Sequence, residues 1–262
     1  MILGINSGVD NATYHADKTA YSSSALKTIL KSKQDFYKRY ILREPEDVKN
    51  VGALNMGTAL HTRILEPHLF ETEIAVFPGA MRRGREWELF SKENKKTIIT
   101  LSELDKVNNM YDSYANNPTA VNLTEGCDYE HTLVADYEGI RLKVRCDGIH
   151  IEKGYILDVK STSYASGADI FRDVIAQLSY DLSGYMYCKV ASLVYDKKFD
   201  FYFVVCSKSD GQCRVYKMSN ETMAEGKKAF TYSIDTLKKS LLTNNWDDDS
   251  LELEDNETIE EV

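Results

Sequence analysis

Nine residues constrain the fold most. Gly139–Asp147 (GIRLKVRCD) alternates strictly, with Ile140, Leu142, Val144 and Cys146 on one side and Arg141, Lys143, Arg145 and Asp147 on the other. A period of two over this length is a β-strand with one buried face, and a slip of one residue would turn every side chain to the wrong side. Glu152-Lys153-Gly154 then reads as a turn, and Tyr155–Lys160 (YILDVK) as a returning strand. On that strand Asp158 and Lys160 share a face while Leu157 and Val159 point into the core. The eleven-residue spacing lets a hairpin bring Asp147 and Asp158 together. Two converging carboxylates beside a lysine form a hard-oxygen cage suited to Mg²⁺, with a cation ready for a phosphate oxygen or a water. Taken alone, D-x-K also describes an Asp–Lys ladder on a solvated sheet face.

Helical periods surround this hairpin. Ser22-Ser23-Ser24 precede Leu26, Ile29, Leu30, Tyr37 and Tyr40, so the serines read as caps of an amphipathic helix. A second helix runs from about Leu54 to Leu65 and stops before Pro67. A third opens with the capping box Thr100-Leu101-Ser102-Glu103 and carries Leu104, Val107, Tyr111 and Tyr114 before Pro118. Beyond the hairpin, Ala168–Val190 reads as one helix. Phe199–Cys206 and Cys213–Met218 read as strands around the turn Ser209-Asp210-Gly211, and Asn220–Leu242 as a last helix before Trp246. With no repeat and no Pro-, Gly- or Ser-rich linker, residues 1–246 form one α/β (α+β) domain.

Composition narrows the class. The chain has 262 residues, 43% of them apolar, enough for a sizeable core. No run of apolar residues is long enough to span a membrane, and Met1–Asn6 lacks the basic region of a signal peptide. Five cysteines (127, 146, 188, 206 and 213) contain no C-x-x-C, which fits a reduced, cytoplasmic protein. The net charge of −9 is carried by residues 247–262, which hold nine acids and no Lys or Arg. The remaining body has 32 acids against 32 bases, so the global charge excludes no nucleic-acid partner. The tail has the composition of a disordered appendage. A phosphate-binding G-x-x-x-x-G-K-[ST] and a G-x-S-x-G elbow are both missing, which removes nucleotide-driven motors and serine hydrolases.

The series Gly57-Thr58-Ala59-Leu60-His61-Thr62-Arg63-Ile64-Leu65-Glu66-Pro67, Glu130, Asp147, Asp158-Val159-Lys160 and Gln177 closely resembles the RecB-like group of PD-(D/E)XK nucleases, and best the RecE-type phage exonucleases (exonuclease VIII). Tyr14-His15 and Ser22–Leu26 also fit, so the resemblance covers about residues 14–246. It implies a PD-(D/E)XK fold, a central mixed β-sheet flanked by helices. It further implies a Mg²⁺-dependent 5′→3′ exonuclease on linear double-stranded DNA, with Mn²⁺ as a substitute; the cysteine spacing lacks the C-terminal cluster of three that Fe–S-containing relatives carry, and the missing phosphate-loop motif argues against a nucleotide cofactor. By resemblance His61, Asp147, Asp158 and the Val159 carbonyl hold metal, Glu130 lies near it, and Lys160 stabilises charge on the phosphate. Gln177 contacts DNA, and Ser22 and Ser24 bind a terminal 5′-phosphate at a helix N-terminus. Arg82, Arg83 and Arg85, the only dense basic cluster, are candidates for DNA phosphates. The same resemblance implies a ring-shaped homo-oligomer, favouring a tetramer, and a single-strand annealing protein as partner. Two positions depart from the pattern: Cys146 stands where the family has proline, and Asp181 where it has tyrosine, with Tyr180 and Tyr185 nearby. A flap endonuclease of the same fold and an inactive DNA-end-binding module are the competing readings.

Overall fold

The hairpin forms the middle of a six-stranded sheet in the computed structural model, which describes residues 1–45, 51–79 and 81–248. The strands are β1 (Gly4–Asn6), β2 (Ile74–Phe77), β3 (Thr97–Thr100), β4 (Asp128–Tyr137), β5 (Ile140–His150), β6 (Tyr155–Thr162), β7 (Asp200–Ser207) and β8 (Cys213–Lys217). Their order in the main sheet is β1-β4-β5-β6-β7-β8, and β2 and β3 make a separate parallel pair. Every neighbour in the main sheet is antiparallel except β6 and β7, which run parallel and are joined by a helical crossover. This is the mixed sheet that the resemblance implies.

The helices are α1 (Asn11–Ala16), α2 (Ser23–Lys31), α3 (Lys33–Phe36), α4 (Val51–Leu65), α5 (Phe70–Glu73), α6 (Arg85–Glu93), α7 (Leu101–Ala115), α8 (Pro118–Thr124), α9 (Ala168–Gln177), α10 (Tyr180–Tyr195) and α11 (Asn220–Thr243). They cover both faces of the sheet. Ile29 of α2, Met186 of α10 and Phe230 of α11 pack with Val144, Ile156 and Phe203 in one layer. Leu60 of α4, Val107 of α7 and Ala120 of α8 pack with Leu157, Val159 and Val204 in the other. The capping box at Thr100 forms as the sequence predicts, with Thr100 and Glu103 satisfying each other's backbone donors.

Three expectations change. The helix expected over residues 22–40 is interrupted at Ser32, whose extended backbone ends α2 and whose hydroxyl caps α3 by accepting from the Asp35 N–H. The chain then continues through a π-helical turn, Tyr37–Leu42. The long helix expected over 168–190 is two helices, separated at Leu178 and Ser179, with Ser179 at φ +49°. Lys143 does not sit in solvent with its neighbours on the alternating face; it is 5% exposed. Its ammonium donates to the carbonyls of Tyr14 and Asp17 at 2.5 and 2.6 Å, so it closes the C-terminal end of α1.

The segment that follows α11 is tied to α3 and its cap. Trp246 stacks on Phe36 and Tyr37, with ring centroids 5.7 and 5.2 Å away. Asp248 accepts from the Ser32 hydroxyl and the Lys33 N–H at 2.7 and 2.5 Å. The rest of the acidic tail expected over 247–262 lies outside the described residues.

Gly226 sets how closely α11 approaches α10. A Cβ there would lie 2.2 Å from the Asp181 carbonyl oxygen, and backbone cannot move aside as a side chain can. Gly226→Ala should therefore cost about 2–3 kcal/mol of stability, read as an earlier urea midpoint with an unchanged slope. An unaffected midpoint would mean that the helices part freely.

Candidate active site

The site lies where β5 and β6 separate. Their ladder pairs His150 with Tyr155, Ile149 with Ile156 and Gly148 with Leu157, and stops there. Beyond it, Val159 has lost its strand neighbour on this side, and both of its backbone groups are taken by side chains. Its N–H donates to Asp147 Oδ2 at 2.7 Å. Its carbonyl lies 2.6 Å from His61 Nε2, delivered by α4. Gly148 permits the closing pair, because a Cβ there would stand 2.9 Å from Leu157 Cγ.

The β4–β5 ladder is interrupted at the same level. Tyr129 pairs with Gly148 and His131 with Cys146, but Glu130 and Asp147 between them do not pair. The faces also switch there. Leu133, Val144 and Cys146 lie in one layer, whereas Tyr129, an even number of residues from Leu133, packs in the other. Glu130 adopts φ +49°, a left-handed conformation that costs a non-glycine residue about 1–3 kcal/mol. Both strands thus turn a carboxylate toward His61, and ligand atoms of His61, Glu130 and Asp147 all lie within 4.8 Å of one another.

The His61 ring fixes what this cluster can hold. A carbonyl can only accept, so Nε2 carries the hydrogen, and in the neutral ring Nδ1 presents a lone pair. That lone pair lies 3.5 Å from Asp147 Oδ2, a second acceptor. Two acceptors facing each other need a cation or a proton between them. The crowding registers on Glu130, whose carboxyl is pushed up to about 7 by burial and by Asp147, against the pull of Arg145. Arg145 is placed to restrain it, with Nε 2.8 Å from the Glu130 carboxylate and Nη1 donating to Asn11 Oδ1 at 2.9 Å. Carboxylate oxygens suit Mg²⁺ and the imidazole suits Mn²⁺, so the donor set fits a divalent metal.

Asp158 takes a different partner. It projects on the face opposite Leu157 and Val159, as expected, but that face is covered, and Asp158 is only 9% exposed rather than solvated. Its carboxylate lies 2.7 Å from Lys160 Nζ. Burial pushes Asp158 up, with Lys160 opposing and Asp147 adding to the rise. Burial works against the Lys160 ammonium, yet Asp158 and Asp147 outweigh it and hold Lys160 above the usual lysine range. The Val159 carbonyl, expected among the metal ligands, here orients His61.

The structure adds two groups that the sequence reading did not single out for the site. Lys27 of α2 and Lys160 hold their ammonium groups 4.9 and 5.1 Å from the centroid of the Tyr180 ring. Burial, followed by repulsion from Lys160, lowers Lys27 to about 8. Nothing local announces Lys27, one residue beyond Leu26 on an amphipathic helix. Tyr180 reaches the site because the chain turns at Ser179.

The remaining candidates lie farther out. Ser22 is the N-cap residue of α2, but its hydroxyl makes no cap hydrogen bond, and Ser24 is exposed in the first turn. Gln177, at the end of α9, is exposed. Of the basic cluster, Arg83 and Arg85 are exposed, whereas Arg82 is engaged internally. Its guanidinium makes two 2.6 Å hydrogen bonds to Glu103 and a third to the Ile98 carbonyl, which removes it from the free phosphate contacts expected of the cluster.

Known proteins add a frame for this geometry. No curated protein matches the chain by sequence. A crystal structure from Eubacterium rectale, of a protein provisionally described as an exonuclease, is similar in fold, with a TM-score of 0.69 and 13% identity over 98% of this chain and 96% of that chain. A phage-related exonuclease from Haemophilus somnus 129PT matches 86% of this chain and 96% of that chain at 14% identity, with a TM-score of 0.36, a likeness too loose to carry an argument. Among the described residues no helix is long and apolar enough to cross a membrane. The family described as the PDDEXK-like domain of unknown function (DUF3799) matches residues 22–254, and the chain belongs to it.

Proposed function

We propose that the protein is a divalent-metal-dependent exodeoxyribonuclease that degrades linear double-stranded DNA from its ends, 5′→3′, leaving 3′ overhangs for recombination by strand annealing. The observation that carries the nuclease reading is the meeting of His61, Glu130, Asp147, Asp158 and Lys160 where β5 and β6 part. Polarity and the double-stranded substrate rest on the resemblance to RecE-type exonucleases.

Each side chain has a role in this reading. His61 Nδ1 and the carboxylates of Asp147 and Glu130 would hold the metal, Mg²⁺ with Mn²⁺ as a substitute, and Asp158, which feels the charges of Asp147 and His61, remains a ligand candidate beside them. A divalent cation bound there supplies polarisation of the phosphodiester and a water of lowered pKa. Lys160 stays protonated beside Asp158 and Asp147, so it acts through its charge on the phosphate and not as a base. Lys27 adds a second, half-buried ammonium on the same side. Gln177, Ser22, Ser24, Arg83 and Arg85 are the candidates for holding DNA outside the reacting centre. A neutral body whose one dense basic cluster is small favours retention of the duplex by several copies around it, hence a ring-shaped homo-oligomer, with a tetramer as the first expectation and a single-strand annealing protein as partner.

The direct test follows nucleotide release from linear duplexes labelled at the 5′ or the 3′ end, with Mg²⁺ or with EDTA. Release of the 5′ label first, none in EDTA, and sparing of closed circles is the expected result. Nicking of closed circles would favour the endonuclease. No release from either end would favour the end-binding module. Light scattering should return a mass above that of one 29.8 kDa chain.

Substitutions separate the roles. Asp147→Asn and Asp158→Asn should each abolish hydrolysis, an effect of several kcal/mol on the transition state. Asparagine is the better probe at Asp158, because alanine would leave the half-buried Lys160 ammonium without its hydrogen-bond acceptor. Lys160→Ala should lose activity while still binding Mn²⁺. A tenth of normal turnover in Asp158→Asn at saturating Mg²⁺ would move the site elsewhere.

Glu130 gives a pH signature. Its folded-state value of about 7 lies above the ordinary glutamate value, so the folded protein holds this proton more tightly than the unfolded chain. That contribution is fully present below about pH 4 and is lost as pH rises through 7, a span of roughly 3 kcal/mol. Added Mg²⁺ should therefore raise the melting temperature more at pH 8 than at pH 6. Glu130→Gln should flatten the metal-free profile; an unchanged profile would place the titration on another group.

A further inference from the structure

The outer hairpin carries a pair of thiols that the nuclease reading does not use. Cys206 of β7 and Cys213 of β8 are direct cross-strand partners. At the next position Ser207 N–H donates to the Gln212 carbonyl at 3.0 Å, so the cysteines occupy a non-hydrogen-bonded site of the ladder. There Cα atoms stand about 4.5 Å apart and both side chains leave on the same face. Disulfides accept Cα separations from about 4.4 to 6.8 Å, so the pair can close without moving the strands apart. Both sulfurs lie in the layer containing Tyr114 and Val204.

The two thiols are not equivalent. Cys206 is fully buried, whereas Cys213 is 8% exposed and borders two shallow surface depressions of about 380 and 560 Å³, shared with Asn117 and Gln212. The neighbouring thiols act on each other: the contact lowers Cys213 and raises Cys206, which burial raises further. Burial raises the thiols of Cys127, Cys146 and Cys188.

We propose that Cys206 and Cys213 form a reversible redox dithiol, in which a small hydroperoxide oxidises Cys213 first and Cys206 resolves the product. The Cys213 thiolate attacks one peroxide oxygen; the S–O bond forms, the O–O bond breaks, and the departing hydroxide takes a proton to become water. The Cys206 sulfur then attacks the Cys213 sulfenic acid, forming the S–S bond and releasing a second water. With hydrogen peroxide, two thiols and one peroxide give one disulfide and two waters, and a thiol reductant reverses the change. Cys206 pairs with Ser161, the residue after Lys160, but the chemistry uses no group of the Asp147 site, so the proposal holds whether or not that site cuts DNA.

The test treats the reduced full-length protein with one equivalent of hydrogen peroxide and maps peptides without reduction. A single cross-link between the peptides of residues 206 and 213 is expected, with titratable thiols in denaturant falling from five to three and returning to five with dithiothreitol. Cys206→Ser should leave Cys213 as a sulfenic acid that adds dimedone; Cys213→Ser should leave Cys206 unlabelled at the same dose. A disulfide through Cys127, Cys146 or Cys188, five surviving thiols in the native chain, or dimedone on Cys206 in Cys213→Ser would overturn the proposal.

Discussion

The site depends on an unmade strand pair. A backbone N–H or C=O removed from water must find a partner, and Val159 loses its partner on one side where β5 leaves β6. Asp147 and His61 take those two groups. The residues that would face the substrate are therefore also the ones that complete the sheet. Their positions are set by main-chain hydrogen bonds on a covered strand rather than by a loop, which fixes them before any ligand arrives. Asp147 accordingly has a structural share: removing its carboxylate leaves the Val159 donor unsatisfied, at a cost of about 1–3 kcal/mol.

The central strand and the order of elements were legible because their causes are local. Alternation specifies β5, the turn at Glu152–Gly154 specifies its return, and the Thr100–Glu103 pair specifies a helix start. The failures have tertiary causes. Ser32 breaks a periodic helix because it caps the next one and is itself held by Asp248, more than two hundred residues away in sequence. Ser179 turns left-handed where no Gly, Asn or Pro marks a break. Lys143 is buried in spite of the alternation because the carbonyls of α1 are waiting for its ammonium.

The candidate site was read from the same strands, and its geometry differs in assignment more than in membership. His61, Glu130 and Asp147 cluster, while Asp158 turns to Lys160. Spacing alone could place the two aspartates near each other, but not decide which neighbour each would choose. That choice depends on the switch of faces at Glu130 and on the helices covering Asp158, neither of which has a period that a sequence can display. Arg82 makes the same point: three arginines in four residues look alike until Glu103 captures one of them.

The electrostatic arrangement bears on whether such a site could serve for binding alone. Glu130 and Asp158 are both pushed up from the ordinary carboxylate range, and Glu130 also sits in a strained backbone conformation. A surface meant only to hold phosphates gains nothing from buried acids, which repel the ligand and cost stability in its absence. Neutral side chains at Glu130 and Asp147 would remove the charge repulsion and bind an anion better. Residues His61, Glu130 and Asp147 could hold a divalent cation, and its charge would offset the repulsion that their crowding creates. Lys160 and Lys27, which share the Tyr180 ring, add positive charge on the side of Asp158, so the acids are balanced there by ammonium groups rather than by solvent.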